Sequence, residues 1–183
     1  MTAADRPRVP TLRAVDHVAF TVPNLEEAVG FFVDHFGAEL VYLDGPFIDG
    51  QTDRMRRLLN VDPRAQCTIA MIRLGMHYNV ELFEYQAPQQ QTAVPRNSDI
   101  GGHHLAFYVD DIDVAYDYVR SIPGVMVQHG PNDVDVAAPV AGQRWFYFQT
   151  PWGMQLELTS CTAPGFYDGL PGAGMAAPST TWR

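Results

Sequence analysis

The sequence predicts an α+β fold in which two tandem βαβββ modules form a curved mixed β-sheet cleft. Three observations predict it: an ungapped internal repeat, period-two apolar alternation at the start and end of each copy, and a helix-capping pattern after each first strand. Asp16-His17-Val18-Ala19-Phe20-Thr21-Val22-Pro23-Asn24-Leu25 lies over His103-His104-Leu105-Ala106-Phe107-Tyr108-Val109-Asp110-Asp111-Ile112 without a gap. His17/His104, Ala19/Ala106, Phe20/Phe107, Val22/Val109 and Ala28/Ala115 are identical pairs. A chain of 183 residues with 46% apolar residues can form two small intimate modules but not two large independent domains.

Each copy opens with an alternating strand and turns into a helix at a polar residue. Asn24 is the expected first cap, with Glu27 completing a capping-box pattern and Ala28, Phe31, Phe32 and Phe36 forming the apolar face. Asp111 is the expected second cap, followed by a face of Ala115, Tyr118 and Val119. Short apolar strands follow at 39–43 and 125–128. Hairpins then close the copies, over 67–75 with 80–85 and over 144–149 with 155–159, the Pro and Gly placements suiting turns.

The expected boundaries are an irregular arm over 1–13, module one over 14–88 with an insertion at 44–66, a linker over 89–100, module two over 101–162 and an irregular arm over 163–183. Phe166, Tyr167, Leu170, Met175 and Trp182 give the last arm apolar groups with which to pack on the body or on a second subunit. In the insertion, Thr52 to Leu59 reads as a short amphipathic helix carrying Arg54, Arg56 and Arg57. This triplet is either a solvated helix face or a seat for an anionic substrate tail.

Twelve Lys and Arg against 21 Asp and Glu give a net charge of −9, a field that disfavours nucleic acid and anionic membranes as partners. Cys67 and Cys161 make no CxxC pair and no multi-bridge framework, which fits a reducing cytosol. With no long apolar run and no apolar leader at the N-terminus, a soluble cytoplasmic protein is expected. No GxGxxG, P-loop or Gly-x-Ser-x-Gly stretch is present.

Residues two apart share a strand face, so the repeat shows what each module aims to one side. His17 shares its face with Ala19 and Thr21, and His104 with Ala106 and Tyr108. In the closing strands Glu81 stands between Val80 and Leu82, and Glu157 between Leu156 and Leu158 on the face of Gln155 and Thr159. One such Glu reads as a solvent-facing residue; two, each closing a module that opens with a matched His, read as a set. His17, Glu81, His104 and Glu157 would suit one divalent ion of borderline hardness, zinc, nickel, cobalt, manganese or ferrous iron, leaving one or two positions for substrate or water.

The paired βαβββ modules, the His-x-Ala-Phe strands, Val80-Glu81-Leu82-Phe83-Glu84-Tyr85 and Gly153-Met154-Gln155-Leu156-Glu157-Leu158 resemble the vicinal oxygen chelate superfamily over about residues 14–162. That group includes glyoxalase I, methylmalonyl-CoA epimerase, extradiol dioxygenases, and fosfomycin- and bleomycin-resistance proteins. Gly102-His103-His104-Leu105-Ala106 is most similar to the epimerase, whose acid/base glutamate ahead of the first hairpin has no match here.

The resemblance implies a metal-dependent enzyme that epimerises, isomerises or lyses a small carbonyl substrate through an enolate, with Glu157 first and Glu81 second as the base. Tyr108, Gln155, Thr159 and Phe83 are the expected substrate-binding residues. His103 is a further candidate behind the ligands, or a strand-edge histidine with a backbone partner. One alternative is an iron(II) extradiol dioxygenase using His17, His104 and Glu157, from which Glu81 would point away. Another is a metal-free binder of a drug or natural product, lined by Phe83, Tyr85, Tyr108, Trp145 and Tyr147. A homodimer is expected in either case.

Overall fold

The computed structural model describes residues 9–161, 166–167 and 175–182. It divides into two units, residues 1–90 with 181–183, and residues 91–180. Each is an α+β arrangement of one mixed sheet, with two described helices in the first unit and one in the second. Among the described residues no helix is long and apolar enough to cross a membrane.

The first unit contains β1 (Val18–Thr21), α1 (Leu25–Phe36), β2 (Glu39–Ile48), α2 (Arg54–Leu59), β3 (Gln66–Leu74) and β4 (Tyr78–Gln86). Its strand order is β1-β4-β3-β2, with β1 parallel to β4 and the other pairs antiparallel. The second contains β5 (Leu105–Tyr108), α3 (Ile112–Ser121), β6 (Met126–Val127), β7 (Asn132–Asp133), β8 (Gln143–Gln149) and β9 (Gln155–Cys161). There the order is β5-β9-β8-β6, β5 is parallel to β9, and β7 pairs with β8.

Period-two alternation divides each sheet into a helix-covered face and an opposite face. In the first unit Ala70, Ile72, Leu74, Val80 and Leu82 are buried together with Leu25, Ala28, Phe31 and Phe32 of α1. Phe107, Phe146, Phe148, Leu156 and Leu158 do the same in the second, with Ile112 and Val119 of α3. Fully burying one such side chain contributes about 1.5–3 kcal/mol. The apolar face of α3 differs from expectation at one position: Tyr118 is exposed, and Tyr116 instead meets Phe146 edge-on, with ring centroids 4.9 Å apart. The face set by Ile112 continues at i+3, i+4 and i+7, which selects Ala115, Tyr116 and Val119.

Both helix starts are capped by the expected residues. Asn24 Oδ1 accepts from the Glu27 amide at 3.0 Å, and Asp111 Oδ1 accepts from the Asp113 and Val114 amides at 3.1 Å. A third cap comes from the sheet: the Leu25 amide donates to Glu84 Oε2 at 2.8 Å. Glu84 lies on the helix-covered face of β4, where its charge also meets the positive end of the α1 dipole.

Element lengths differ from the sequence expectation in physical detail. The second strand runs to Ile48, into the stretch assigned to the insertion, because register shifts at Leu40/Tyr42 and Asp44/Phe47 let β2 stay paired with β3. The insertion helix is shorter than expected, Arg54–Leu59, and ends at Asn60 in the left-handed conformation. Only Met126 and Val127 of the stretch 125–128 form strand.

From the last arm, Trp182 lies in the first unit. Its indole Nε1–H donates to the Phe36 carbonyl at 3.1 Å, satisfying an acceptor that the end of α1 leaves open. Gly37 and Gly75, both with positive φ (62° and 63°), flank it; a Cβ would come within 3.3 Å of the indole at Gly37 and 3.1 Å at Gly75. Phe166 and Tyr167 stack edge to face in the second unit, Met175 is exposed, and Leu170 lies outside the described residues.

Glu84→Ala is expected to cost about 1 kcal/mol, the usual value of a lost helix cap, and Glu84→Gln less because its amide oxygen still accepts. Urea denaturation of the two variants checks this, and equal losses would refute it.

Candidate active site

Parallel pairing at the sheet edge positions each candidate pair. Ala19 is the register partner of Glu81, and Ala106 of Glu157. Each histidine precedes its alanine by two residues, one position before the strand begins, and so sits on the carboxylate's face. His17 Nε2 lies 3.5 Å from Glu81 Oε2, and His104 Nε2 lies 3.1 Å from Glu157 Oε2. The carboxylate side chains are mostly buried, 16% and 15% exposed, while the imidazoles are 38% and 37% exposed, so each pair has a protected side and an open one.

The first pair carries a further carboxylate. Asp16 Oδ2 lies 2.8 Å from His17 Nδ1, and Asn79 Nδ2 donates to the Asp16 carbonyl at 3.1 Å, tying the start of β1 to β4. With Nδ1–H donating to Asp16, a neutral His17 turns the lone pair of Nε2 toward the Glu81 oxygen. A proton or a metal ion on Nε2 relieves that opposition. The Asp16 hydrogen bond is also the main reason the His17 pKa is raised, with the Glu81 and Asp16 charges adding to it against desolvation. In the second unit the matching residue is His103, whose Nδ1 lies 3.0 Å from the Gly101 carbonyl, the strand-edge backbone arrangement.

The second pair has a different neighbour. Across the antiparallel pairing Glu157 faces Tyr147, whereas Glu81 faces Met71. The Tyr147 ring meets His104 edge-on, with centroids 5.1 Å apart, and tilts against Trp145 at 5.0 Å. Burial raises the Glu157 pKa, and the charge and hydrogen bond of His104 only partly oppose the rise. Burial, followed by the Glu157 charge, raises the Tyr147 phenol.

The other expected substrate residues are engaged within their own units. Phe83 stacks on Tyr85 at 5.3 Å, and both pack on the cluster that Met55 of α2 forms with Ala65 and Cys67. The insertion thus covers the far end of the first unit's Glu81 face. Burial raises the pKa of the Cys67 thiol there. Tyr108 donates its hydroxyl to the Cys161 carbonyl at 3.1 Å and meets the Tyr167 ring, so the last arm contacts the equivalent far end of the second unit's face. Thr159 Oγ1 accepts from Gln143 Nε2 at 2.6 Å. Gln155 is buried, its amide directed to Gln128 Oε1 at 3.5 Å. In the basic triplet, Arg56 is paired with Asp53 at 2.8 Å.

The donors fit a divalent ion. Two donors about 2.1 Å from a shared ion lie about 3.0 Å apart at a right angle and about 3.4 Å apart at the tetrahedral angle, close to both observed spacings. Among the described residues of either unit, no three His, Cys, Asp or Glu side chains come together to hold an ion; within each unit one imidazole lies beside one carboxylate of the closing strand.

Two mixed βαβββ sheets with a His–Glu pair at the same register define a duplicated chelate-type scaffold. The chain belongs to the Glyoxalase/Bleomycin resistance protein/Dioxygenase superfamily, whose family model matches residues 16–138. It is 48% identical over 174 residues to a 2-epi-5-epi-valiolone epimerase of Actinomyces sp, covering 95% of this chain and 93% of that one. This similarity identifies an enzyme of the isomerase type. A glyoxalase family protein from Bacillus cereus shares the fold at 17% identity and a TM-score of 0.65, over 85% of this chain and 100% of that one. Another, from Enterococcus faecalis, shares it at 21% identity and 0.56, over 80% and 97%.

A raised His17 pKa contributes stability that is fully present below pH 6.5 and is lost as pH rises through the folded value. In chelator-treated protein, Asp16→Ala is therefore expected to lower Tm more at pH 6 than at pH 8.5. Thermal denaturation at the two pH values checks it, and a difference of the opposite sign would exclude this role for Asp16.

Proposed function

We propose that the protein epimerises a small hydroxylated ketone, of the class of 2-epi-5-epi-valiolone, at a carbon beside the carbonyl. The observation that carries the reading is the matched pair of imidazole–carboxylate contacts, in a chain that aligns over 95% of its length with an epimerase. His17, Glu81, His104 and Glu157 are the proposed holders of one divalent ion. When bound, that ion supplies Lewis-acid stabilisation for the negative charge that develops on the carbonyl oxygen.

The chain's own groups move the proton. Glu157 accepts it from the carbon: burial makes its carboxylate a stronger base, and His104 holds it in place. The C–H electron pair passes into the C–C bond as the carbonyl pair moves onto oxygen, and inversion requires a proton returned to the opposite face. Glu81 is the second candidate for the base. Asp16 fixes His17 so that Nε2 remains the ligating nitrogen. The position of Glu81 beside His17 supports a four-ligand set over the three-ligand dioxygenase alternative.

In deuterium oxide the metal-loaded enzyme is expected to place deuterium at the epimerised carbon of 2-epi-5-epi-valiolone, with chelator abolishing exchange. Glu157→Gln should slow exchange by about a hundredfold or more. Oxygen consumption with a catechol and iron(II), in place of exchange, would overturn the reading. The proposed assembly is a homodimer of the 20.4 kDa chain, and sedimentation as a monomer at micromolar concentration would exclude it.

A further inference from the structure

We propose that Tyr147 is a specificity-determining residue whose hydroxyl binds a hydroxyl group of the substrate, so that the second unit recognises the hydroxylated ketone. The inference rests on the epimerase reading and adds to it a residue that the sequence expectation had placed only in the metal-free alternative.

The internal duplication supplies the comparison. At matched register the two carboxylates face different neighbours: Met71 opposite Glu81, and Tyr147 opposite Glu157. One step along, Phe83 pairs with Ile69 in the first unit and Thr159 with Trp145 in the second. One step further the contrast is Cys67 against Gln143, whose amide donates to Thr159 at 2.6 Å. Beside Glu81 the first unit therefore offers only Met71, Ile69 and Phe83 before the face reaches Tyr85 and Cys67, where Met55 of α2 covers it. Along the second unit's face run a phenol, a threonine and an amide.

A hydroxylated ketone gives up water at each hydroxyl it buries, and an unreplaced hydrogen bond opposes binding. Of the two residues facing the carboxylates, only Tyr147 has an O–H to offer. Its ring is held from two sides, edge-on to His104 and against Trp145, so the phenol is pre-positioned rather than ordered by the ligand. Met71 has no hydrogen to donate. An enzyme that inverts one centre among several must fix the substrate in a single orientation, and a hydrogen bond present on one half of a duplicated scaffold breaks the scaffold's symmetry.

Tyr147→Phe removes the hydroxyl and keeps the ring. In metal-loaded protein, calorimetric titration with 2-epi-5-epi-valiolone is expected to show affinity about tenfold weaker than wild type, and kcat/KM should fall alongside it, with metal content and Tm unchanged. Within a series of monodeoxy analogues, one should bind wild type and variant equally, because it lacks the hydroxyl that Tyr147 contacts. Wild-type affinity in the variant, or an equal loss for every analogue, would overturn the assignment while leaving the epimerase reading intact. If the wild-type enzyme neither binds nor exchanges the ketone, both fall.

Discussion

The site depends on the parallel pairing of a short opening strand with the last strand of its own module. Parallel register sets Ala19 beside Glu81 and Ala106 beside Glu157, and the two-residue period of the strand brings each histidine onto the carboxylate's face. A slip of one residue would turn the histidine to the side that α1 or α3 covers, where an imidazole beside a carboxylate would be desolvated. The helices help to prevent that slip. In the first unit, alternate β4 residues serve opposite purposes, since Glu81 faces His17 while Glu84, three positions on, caps α1 from below.

Duplication accounts for the symmetry of the metal-ligand candidates, and the departures from it give the two carboxylates different surroundings. Both halves keep His, Ala and Glu in place, and each half varies what surrounds them. The first acquires Asp16 behind its histidine and an apolar sheet face under α2. The second acquires an aromatic and polar row along β8 and β9. One histidine thus has a carboxylate fixing its far ring nitrogen, and the other has an aromatic ring at its edge.

Much of this was legible in the sequence because the signals were local. Alternation with a fixed period put His17 on the face of Glu81 and His104 on that of Glu157, and Asn24 and Asp111 announced the helix starts through side chains that reach only three residues. What the sequence hid was the pairing between distant strands. Glu84 as a cap depends on β4 lying under α1, fifty-nine residues away along the chain. The different surroundings of Glu81 and Glu157 appear only when β3 and β8 are laid against their neighbours, since nothing near Met71 or Tyr147 in the chain marks them as carboxylate partners. Tyr118 and Tyr116 were exchanged because aromatic residues two apart on a helix compete for one face, and the choice is made by the phase set at Ile112. The extension of β2 beyond 43 rests on a register shift against β3 that carries the strand past Gly45-Pro46, another pairing between distant segments.

The seat of Trp182 bears on how the molecule is made. Residues 1–90 leave the ribosome well before Trp182 does, so the end of α1 is synthesised before the indole that donates to it. Gly37 and Gly75 leave the room that the indole occupies. That contact cannot form until Trp182 itself has been made, so a residue far along the chain completes the unit begun first.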